Sequence, residues 1–179
     1  MNKTTVASAI MMVMLSSSAF AAEAPKDQGH GVIKFVGSII DAPCSISQES
    51  LDQTIQMGQV ANSLLEQQGE TPLRPFEIKL ESCSLETAKD ARITFKGTPD
   101  KNDAKHLAIT GTGKGAGIAL VNLQDNAEIP LTIPTKVSSL VEGDNLLKFG
   151  AKLVSNVKSG DKATPGEFSA TSDFIMTYQ

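Results

Sequence analysis

The chain has 179 residues, of which 40% are hydrophobic and 20% are charged, a composition that suits one globular domain and argues against a disordered chain. Its 16 basic and 20 acidic side chains give a formal net charge of −4, so the basic excess that binds a phosphate backbone is missing and we expect no nucleic-acid partner. Only two His and two Cys are present, which argues against a metalloenzyme or a Cys/His hydrolase. We expect no metal site and no cofactor.

The N-terminus has the pattern of a secretory signal peptide. Lys3 precedes the apolar segment Val6–Leu15, and residues 19–21 (Ala-Phe-Ala) place small side chains where a signal peptidase accepts them. We therefore expect residues 1–21 to be removed on export. A membrane anchor is the alternative, but an apolar run of about ten residues is shorter than the roughly 20 that a spanning helix needs. We expect no membrane span in the mature chain.

Export places the two cysteines in an oxidising compartment, where Cys44 and Cys83 are expected to pair. In the chain-entropy model, a disulfide that closes a loop of about 39 residues stabilises the fold by roughly 4 kcal/mol. Two free thiols and half of a metal site are the alternatives. Both are disfavoured, because no His lies near either Cys in the sequence and the spacing matches no zinc pattern.

The mature chain begins with a polar leader and continues into an alternating segment. Residues 22–29 consist largely of Ala, Glu, Pro, Lys, Asp and Gln, which predicts a flexible leader. From residue 31 onward, every second position is apolar or glycine, as in an extended strand with one apolar face. An ordinary first strand of the same domain is one interpretation of this pattern. The residues on the apolar face are Gly31, Ile33, Phe35, Gly37 and Ile39.

Short alternating runs between clusters of Gly, Pro, Asn and Asp predict further strands. The only helix candidate is Val60–Gln68. Many short strands, one disulfide and almost no helix together predict an all-β sandwich. The further strands are expected at residues 76–83, 93–95, 107–110, 118–123, 129–133 and 146–154.

The last segment predicts a strand of about thirteen residues that runs to the C-terminus. After Pro165 and Gly166, one face is mainly apolar and the opposite face is mainly polar. No later segment is left to cover the edge of this strand, and exposed edges template pairing with other chains. We therefore expect another polypeptide to pair with it. The residues on the apolar face are Phe168, Ala170, Ser172, Phe174, Met176 and Tyr178.

These features together resemble a chaperone–usher fimbrial pilin, closest to the major subunits of the type 1 and P pilus rods. The resemblance covers the whole chain and rests on the order of its parts. These parts are the signal peptide, Gly-His-Gly-Val-Ile-Lys-Phe-Val-Gly at 29–37, Asp-Ala-Pro-Cys-Ser-Ile at 41–46, Cys83, and Gly166-Glu167-Phe168 with Phe174, Met176 and Tyr178, the tyrosine being second from last.

The resemblance implies an incomplete immunoglobulin-like β-sandwich that lacks its last strand. It divides the chain into a signal peptide (1–21), an N-terminal extension that acts as donor strand (22–38) and a pilin domain (39–179). A groove then remains open until donor-strand complementation, a form of β-augmentation, fills it. Gly37 matches the glycine that the family places at the pocket where strand exchange proceeds. The groove would be bounded by Gly166, Phe168, Ala170, Phe174, Met176 and Tyr178.

The expected function is that of a non-enzymatic structural subunit of an adhesive surface fimbria. The partners that the resemblance implies are identical or related pilin subunits, a periplasmic chaperone that fills the groove first, and an outer-membrane usher at which the subunits polymerise. Export through the periplasm to a cell-surface fimbria follows. A rod position and a minor tip or adaptor position are both compatible with the sequence.

Other functional classes find less support. A secreted lectin-like carbohydrate-binding module is conceivable because β-sandwiches host such sites, but sugar platforms favour exposed aromatics, and the chain has no Trp and one Tyr. The glycine-rich residues 111–117 could suggest a phosphate cradle, but Ala108 and Gly115 stand where a P-loop needs Gly and Ser or Thr; a flexible inter-strand loop is expected. His30 and His106 lie in polar, loop-like sequence and are expected to be solvated rather than catalytic.

Overall fold

The regular secondary structure of the described residues is almost entirely antiparallel β-sheet. The computed structural model describes residues 29–67, 69–158 and 161–179. Within those ranges the elements are β1 (Ser45–Ile46), α1 (Gln48–Leu51), α2 (Asn62–Glu66), β2 (Arg74–Cys83), β3 (Asp90–Gly97), β4 (Leu107–Ala108), β5 (Thr110–Gly111), β6 (Ala116–Asn122), β7 (Ala127–Ile129), β8 (Ser138–Ser139), β9 (Gly143–Ser155), β10 (Phe168–Ser169) and β11 (Ser172–Tyr178).

The larger sheet has the strand order β1-β2-β9-β6-β4, and β7 also pairs with β6. Strand β6 lies inside this sheet, and all seven of its residues are buried, as the apolar run in its sequence predicts for a strand covered on both faces. The register between β2 and β9 places Phe76 beside Phe149 and Ile78 beside Leu147. Apolar residues of neighbouring strands therefore share one inner face.

The smaller sheet has the order β11-β3-β8, and β10 pairs separately with β5. Strand β3 packs its apolar side chains against the larger sheet: the Phe95 ring lies 5.3 Å from that of Phe149 and 6.2 Å from that of Phe76, both at steep angles. Edge-to-face packing of this kind adds to the energy of burial. The two sheets thus enclose one core, as predicted for an all-β sandwich.

A disulfide fastens one edge of the larger sheet. Cys44, just before β1, is bonded to Cys83 at the end of β2, and both residues are buried. This confirms the predicted pairing. Beside it, Ser82 has a φ of 53°, and the register between β2 and β9 shifts between Leu80 and Cys83, which is the signature of a β-bulge.

Several predicted elements differ from the structure. The strand expected at 129–133 ends at Ile129, because Pro130 has no N–H to donate and Thr132 has a φ of 65°. The helix expected at Val60–Gln68 is reduced to the five residues of α2, and α1 was not predicted. The terminal strand of thirteen residues is split into β10 and β11, which pair with different strands.

The chain divides into two units, with the boundary after Ile39. In the first unit the described residues, 29–39, form no regular secondary structure, so the alternating segment is not a strand of its own domain. Its large apolar side chains are exposed, Phe35 by 87% and Ile33 by 78%. The predicted signal peptide and most of the predicted leader lie outside the described residues. No helix within the described ranges is long and apolar enough to cross a membrane.

Candidate functional site

An open groove of about 1340 Å³ runs through the second unit. The loop at 50–62 and the C-terminal segment at 163–174 both line it. Between them, buried side chains of both sheets form an apolar floor. The floor residues that are also buried in the core are Ile78, Phe95, Leu107, Ala116, Ile118, Leu120, Ala151 and Leu153.

The sheet edge beside the 50–62 loop is closed by side chains. Strand β1 pairs with β2 only at Ser45 and Ile46, after which the chain leaves the sheet. Ser50 Oγ then accepts a hydrogen bond of 2.9 Å from the Lys79 backbone N–H, and Gln53 Nε2 donates one of 2.8 Å to the carbonyl oxygen of Glu77. Because these backbone groups of β2 already have partners, this edge offers little to an incoming strand.

The opposite edge, formed by β10 and β11, is open. Among the described residues, β11 has a strand partner on one side only, β3, with which it pairs from Ser172 opposite Gly97 to Tyr178 opposite Ala91. From residue 167 to residue 178 the side chains alternate between exposed and half-buried. A strand with one free side and one half-buried apolar face is a template for a further strand.

The structure places the predicted terminal residues in two groups. Four of them line the groove: Gly166, Phe168, Ala170 and Phe174. Met176 and Tyr178 are also half-buried and pack against the core, but they are not part of the groove lining. The hydroxyl oxygen of Tyr178 is buried and has no hydrogen-bond partner in the described chain, and burial raises the pKa of this hydroxyl.

Glycines let the 111–117 segment lie close to the C-terminal segment, and Gly113 lines the groove. Gly111 has a φ of 128°, and a Cβ there would collide with the carbonyl oxygen of Glu167; at Gly113 a Cβ would lie 2.7 Å from the carbonyl oxygen of Gly166. Lys114 exchanges two backbone hydrogen bonds, of 2.9 and 3.0 Å, with Thr164. The segment is therefore bonded to the C-terminal segment and is not the flexible loop that the sequence predicted.

His106 was predicted to be solvated, and this prediction is wrong. The residue is only 8% exposed, with Nε2 3.2 Å from Glu128 Oε1 and Nδ1 3.9 Å from Asp103 Oδ2. Its backbone carbonyl accepts a hydrogen bond of 2.8 Å from the Asp100 N–H in the chain that follows β3, a tertiary contact that a sequence pattern does not reveal. It does not line the groove.

The 50–62 side of the groove was not predicted from the sequence. Ile55 and Met57 are half-buried there and line the groove, while Gln56 between them is polar and exposed. Their spacing of two residues is the one signal that could have indicated an extended segment with an apolar face. It is too short to stand out between Gln and Thr residues.

The residues expected to act as donor strand lie in the first unit. Gly31, Ile33, Phe35, Gly37 and Ile39 are all exposed, and a Cβ added at Gly31 or Gly37 would have no atom within 4 Å. Neither glycine is therefore required by its present surroundings.

Comparison with known proteins decides the family. The sequence model of the fimbrial protein family matches residues 33–179. The chain belongs to this family. It is 44% identical to the fimbria A protein of Serratia marcescens over 86% of this chain and 87% of that protein. It is 37% identical to the major MR/P fimbria protein of Proteus mirabilis over 100% of this chain and 99% of the relative.

Solved structures of fimbrial subunits share the fold. The P pilus rod subunit PapA superimposes with a TM-score of 0.70 at 28% identity, covering 77% of this chain and 100% of PapA. A subunit of a chaperone–usher pilus, from a study of rod uncoiling, gives a TM-score of 0.76 at 30% identity, covering 85% and 97%. The sandwich is therefore the immunoglobulin-like pilin fold. These matches favour a structural fimbrial subunit over a lectin or an enzyme.

Proposed function

We propose that this fimbrial protein is the repeating structural subunit of a cell-surface fimbria, and that its extension at 29–39 fills the groove of the next subunit. The observation that carries the proposal is that one chain holds both halves of such a joint. The second unit has an open apolar groove beside β11, which among the described residues has a strand partner on one side only. The first unit has an exposed segment with apolar residues at every second position.

The chemistry of the two halves is complementary. An inserted strand would give the free side of β11 the backbone partners it lacks, and would direct alternate side chains onto the groove floor. Burying Ile33, Phe35 and Ile39 at about 1.5 to 3 kcal/mol each gives on the order of 5 to 9 kcal/mol before ordering costs. The contact between subunits is then part of the core of each domain.

The open groove also implies a temporary occupant. A subunit released into the periplasm would expose an apolar floor and a strand edge, both of which promote aggregation. We infer that a periplasmic chaperone covers the groove first and that an outer-membrane usher is the site where the next extension replaces it. The names of the relatives, a major fimbria protein and a rod subunit, favour a rod position for this chain.

Face-specific substitution in the extension tests the donor role. Ile33→Ser combined with Phe35→Ser removes the inward apolar side chains, whereas Val32→Ser combined with Val36→Ser makes the same change on the opposite face. We expect the first variant to accumulate as chaperone-bound periplasmic subunit without fibres, because its own groove is intact. The matched control should still form fibres, counted by electron microscopy and immunoblot of sheared material.

Deletion of residues 29–39 tests the same role more severely. The deleted subunit should still co-purify with its chaperone and should fail to assemble. Long fibres built from it would contradict the donor role. Immunogold labelling of intact fibres tests the rod position, since a rod subunit labels the whole length and a tip or adaptor subunit labels one end.

A further inference from the structure

A small cavity of about 130 Å³ lies beside the hairpin formed by β6 and β7. Residues of the turn after β6, of β7 and of the segment 130–136 line it. It shares no lining residue with the groove, so binding there does not depend on the donor role. Pockets that hold a whole drug-sized ligand measure about 300 to 1,000 Å³. This cavity therefore has room for one small substituent of a larger molecule.

Asn122 brings an unused hydrogen-bond donor to the cavity. The residue ends β6, pairs with Phe149 of β9, lines the cavity and is only 5% exposed. Its Oδ1 accepts a hydrogen bond of 2.9 Å from the Gln124 N–H, whereas its Nδ2 donates to no described residue. A buried amide donor without a partner is costly, so an occupant with an acceptor oxygen would be stabilised here.

Thr135 brings a second buried donor to the same cavity. It lines the cavity and is only 7% exposed. Its Oγ1 accepts a hydrogen bond of 3.0 Å from the Ile93 N–H, and the hydroxyl group donates to no described residue. Since a hydroxyl group can donate as well as accept, two buried residues of one cavity hold donors that the described chain does not use.

The other walls favour a neutral occupant with an apolar part. Asp125 Oδ2 lies 2.7 Å from Lys136 Nζ, and the hydrogen bond from Lys136 lowers the pKa of Asp125, so this carboxylate is charged at neutral pH. It would repel an anionic ligand, and a cationic ligand would have to compete with Lys136. The carboxylate can still accept a hydrogen bond from a neutral N–H group. The apolar lining comes from Ile129, Pro130 and Pro134.

We propose that this cavity binds the acetamido group of an N-acetylated amino sugar, whose carbonyl oxygen accepts from Asn122, whose N–H donates to Asp125 and whose methyl group packs against Ile129. A secondary amide combines one acceptor, one donor and a methyl group in a small volume. None of the residues that line the cavity is aromatic, so the sugar ring has no stacking surface and the acetamido group carries the contact. A fimbria repeats the site in every subunit, and multivalent contact strengthens weak binding.

Saturation-transfer NMR on isolated fibres of the full mature chain tests the ligand. With N-acetylglucosamine as the probe, the acetyl methyl protons should receive at least about threefold more saturation than the ring protons, with a dissociation constant on the order of 1 to 10 mM. Glucosamine, which lacks the acetyl group, should give no signal. N-methylacetamide, which carries only the amide, should compete with the sugar.

Three results would overturn the proposal. Absence of saturation on the acetyl methyl protons would mean that the cavity holds water only. An equal signal from glucosamine would exclude recognition of the acetamido group. Binding of N-methylacetamide without binding of N-acetylglucosamine would exclude the sugar as the source of that group.

Substitutions in the hairpin test the site. Asn122→Asp keeps the acceptor for the Gln124 N–H and replaces the donor by an oxygen atom, so the affinity for N-acetylglucosamine should fall at least about tenfold. Asn126→Asp makes the same change at an exposed residue of the same turn that does not line the cavity, and it should leave the affinity unchanged. Asn126 has a φ of 53°, a conformation that Asp also tolerates.

Ala127→Val tests the site without placing a charge in it. Ala127 lines the cavity from strand β7, where a valine side chain is compatible with the strand and would occupy space that the acetamido group needs. Binding should fall below detection in fibres that still assemble. Unchanged affinity in Ala127→Val or in Asn122→Asp would overturn the proposal, and so would an equal loss in Asn126→Asp and Asn122→Asp.

Discussion

Phe174 offers the sharpest test of the groove, because its side chain belongs to both the subunit core and the proposed joint. It is half-buried, lies opposite Phe95 across β11 and β3, and lines the groove. Thr177, three residues later in the same strand, is exposed and lies opposite Arg92. Changing each to Asp therefore introduces the same charge on opposite faces of one strand.

The expected loss of folding stability is much larger for Phe174→Asp than for Thr177→Asp. Phe174→Asp forfeits about 1.5 to 3 kcal/mol of apolar burial, and it adds a desolvation cost of several kcal/mol once a strand covers the carboxylate. Together these approach the roughly 5 to 15 kcal/mol of total stability of a domain. Thr177→Asp leaves its carboxylate in water beside a guanidinium, where surface substitutions usually change stability by less than about 0.5 kcal/mol.

We expect Phe174→Asp to abolish both the chaperone-bound periplasmic subunit and the surface fibres, whereas Thr177→Asp should retain at least part of both. Phe174→Leu, which keeps an apolar side chain, should retain fibres with a lower midpoint of guanidinium unfolding. Immunoblots of chaperone co-purifications and of sheared fibres give the measurement. Equal recovery of the two Asp variants would refute the assignment of inner and outer faces.

Three further changes act at other points of the fold. Replacing both Cys44 and Cys83 by Ser should cost about 4 kcal/mol by the loop-entropy relation, which would be measured as a lower periplasmic level of subunit. Burial raises the pKa of the Tyr178 hydroxyl above 10.0, so the folded state favours the neutral form. Wild-type fibres should therefore lose stability against unfolding as the pH rises above 10. Tyr178→Phe should remove this loss, which guanidinium unfolding from pH 8 to 11 would measure. Gly111→Ala should reduce the subunit level more than Gly143→Ala, because both glycines have a positive φ but a Cβ meets another atom only at Gly111.

Most of the fold could be predicted from the apolar pattern, because β2, β3 and β9 bury mainly one face and β6 is an apolar run that is buried throughout. The predicted strand boundaries were wrong where a single residue interrupts an alternating apolar run. Pro130 ends β7, and the break at Ala170 lets the terminal segment pair with β5 and then with β3. Hydropathy alone does not reveal such breaks, because the side chains beyond them continue to alternate.

The two sides of the groove were unequally predictable. The terminal side carries a mainly apolar face with a spacing of two residues from Phe168 to Tyr178, so its inward face could be predicted. The 50–62 side is held by polar contacts from Ser50 and Gln53 to the backbone of β2. Such contacts form between segments that are distant in the sequence, and they produce no periodic pattern of apolar residues. The buried position of His106 was missed for the same reason.

The two edges beside the groove differ in how many of their backbone groups are free to pair with an inserted strand. Ser50 and Gln53 form hydrogen bonds with backbone groups of β2 at Lys79 and Glu77, whereas among the described residues β11 has a strand partner on one side only. Glycines at 111, 113 and 166 permit close contact between the 111–117 segment and the C-terminal segment, because a Cβ at any of them would meet backbone atoms. The remaining freedom of an inserted strand is a shift by two residues, since a shift by one would turn the apolar face outward.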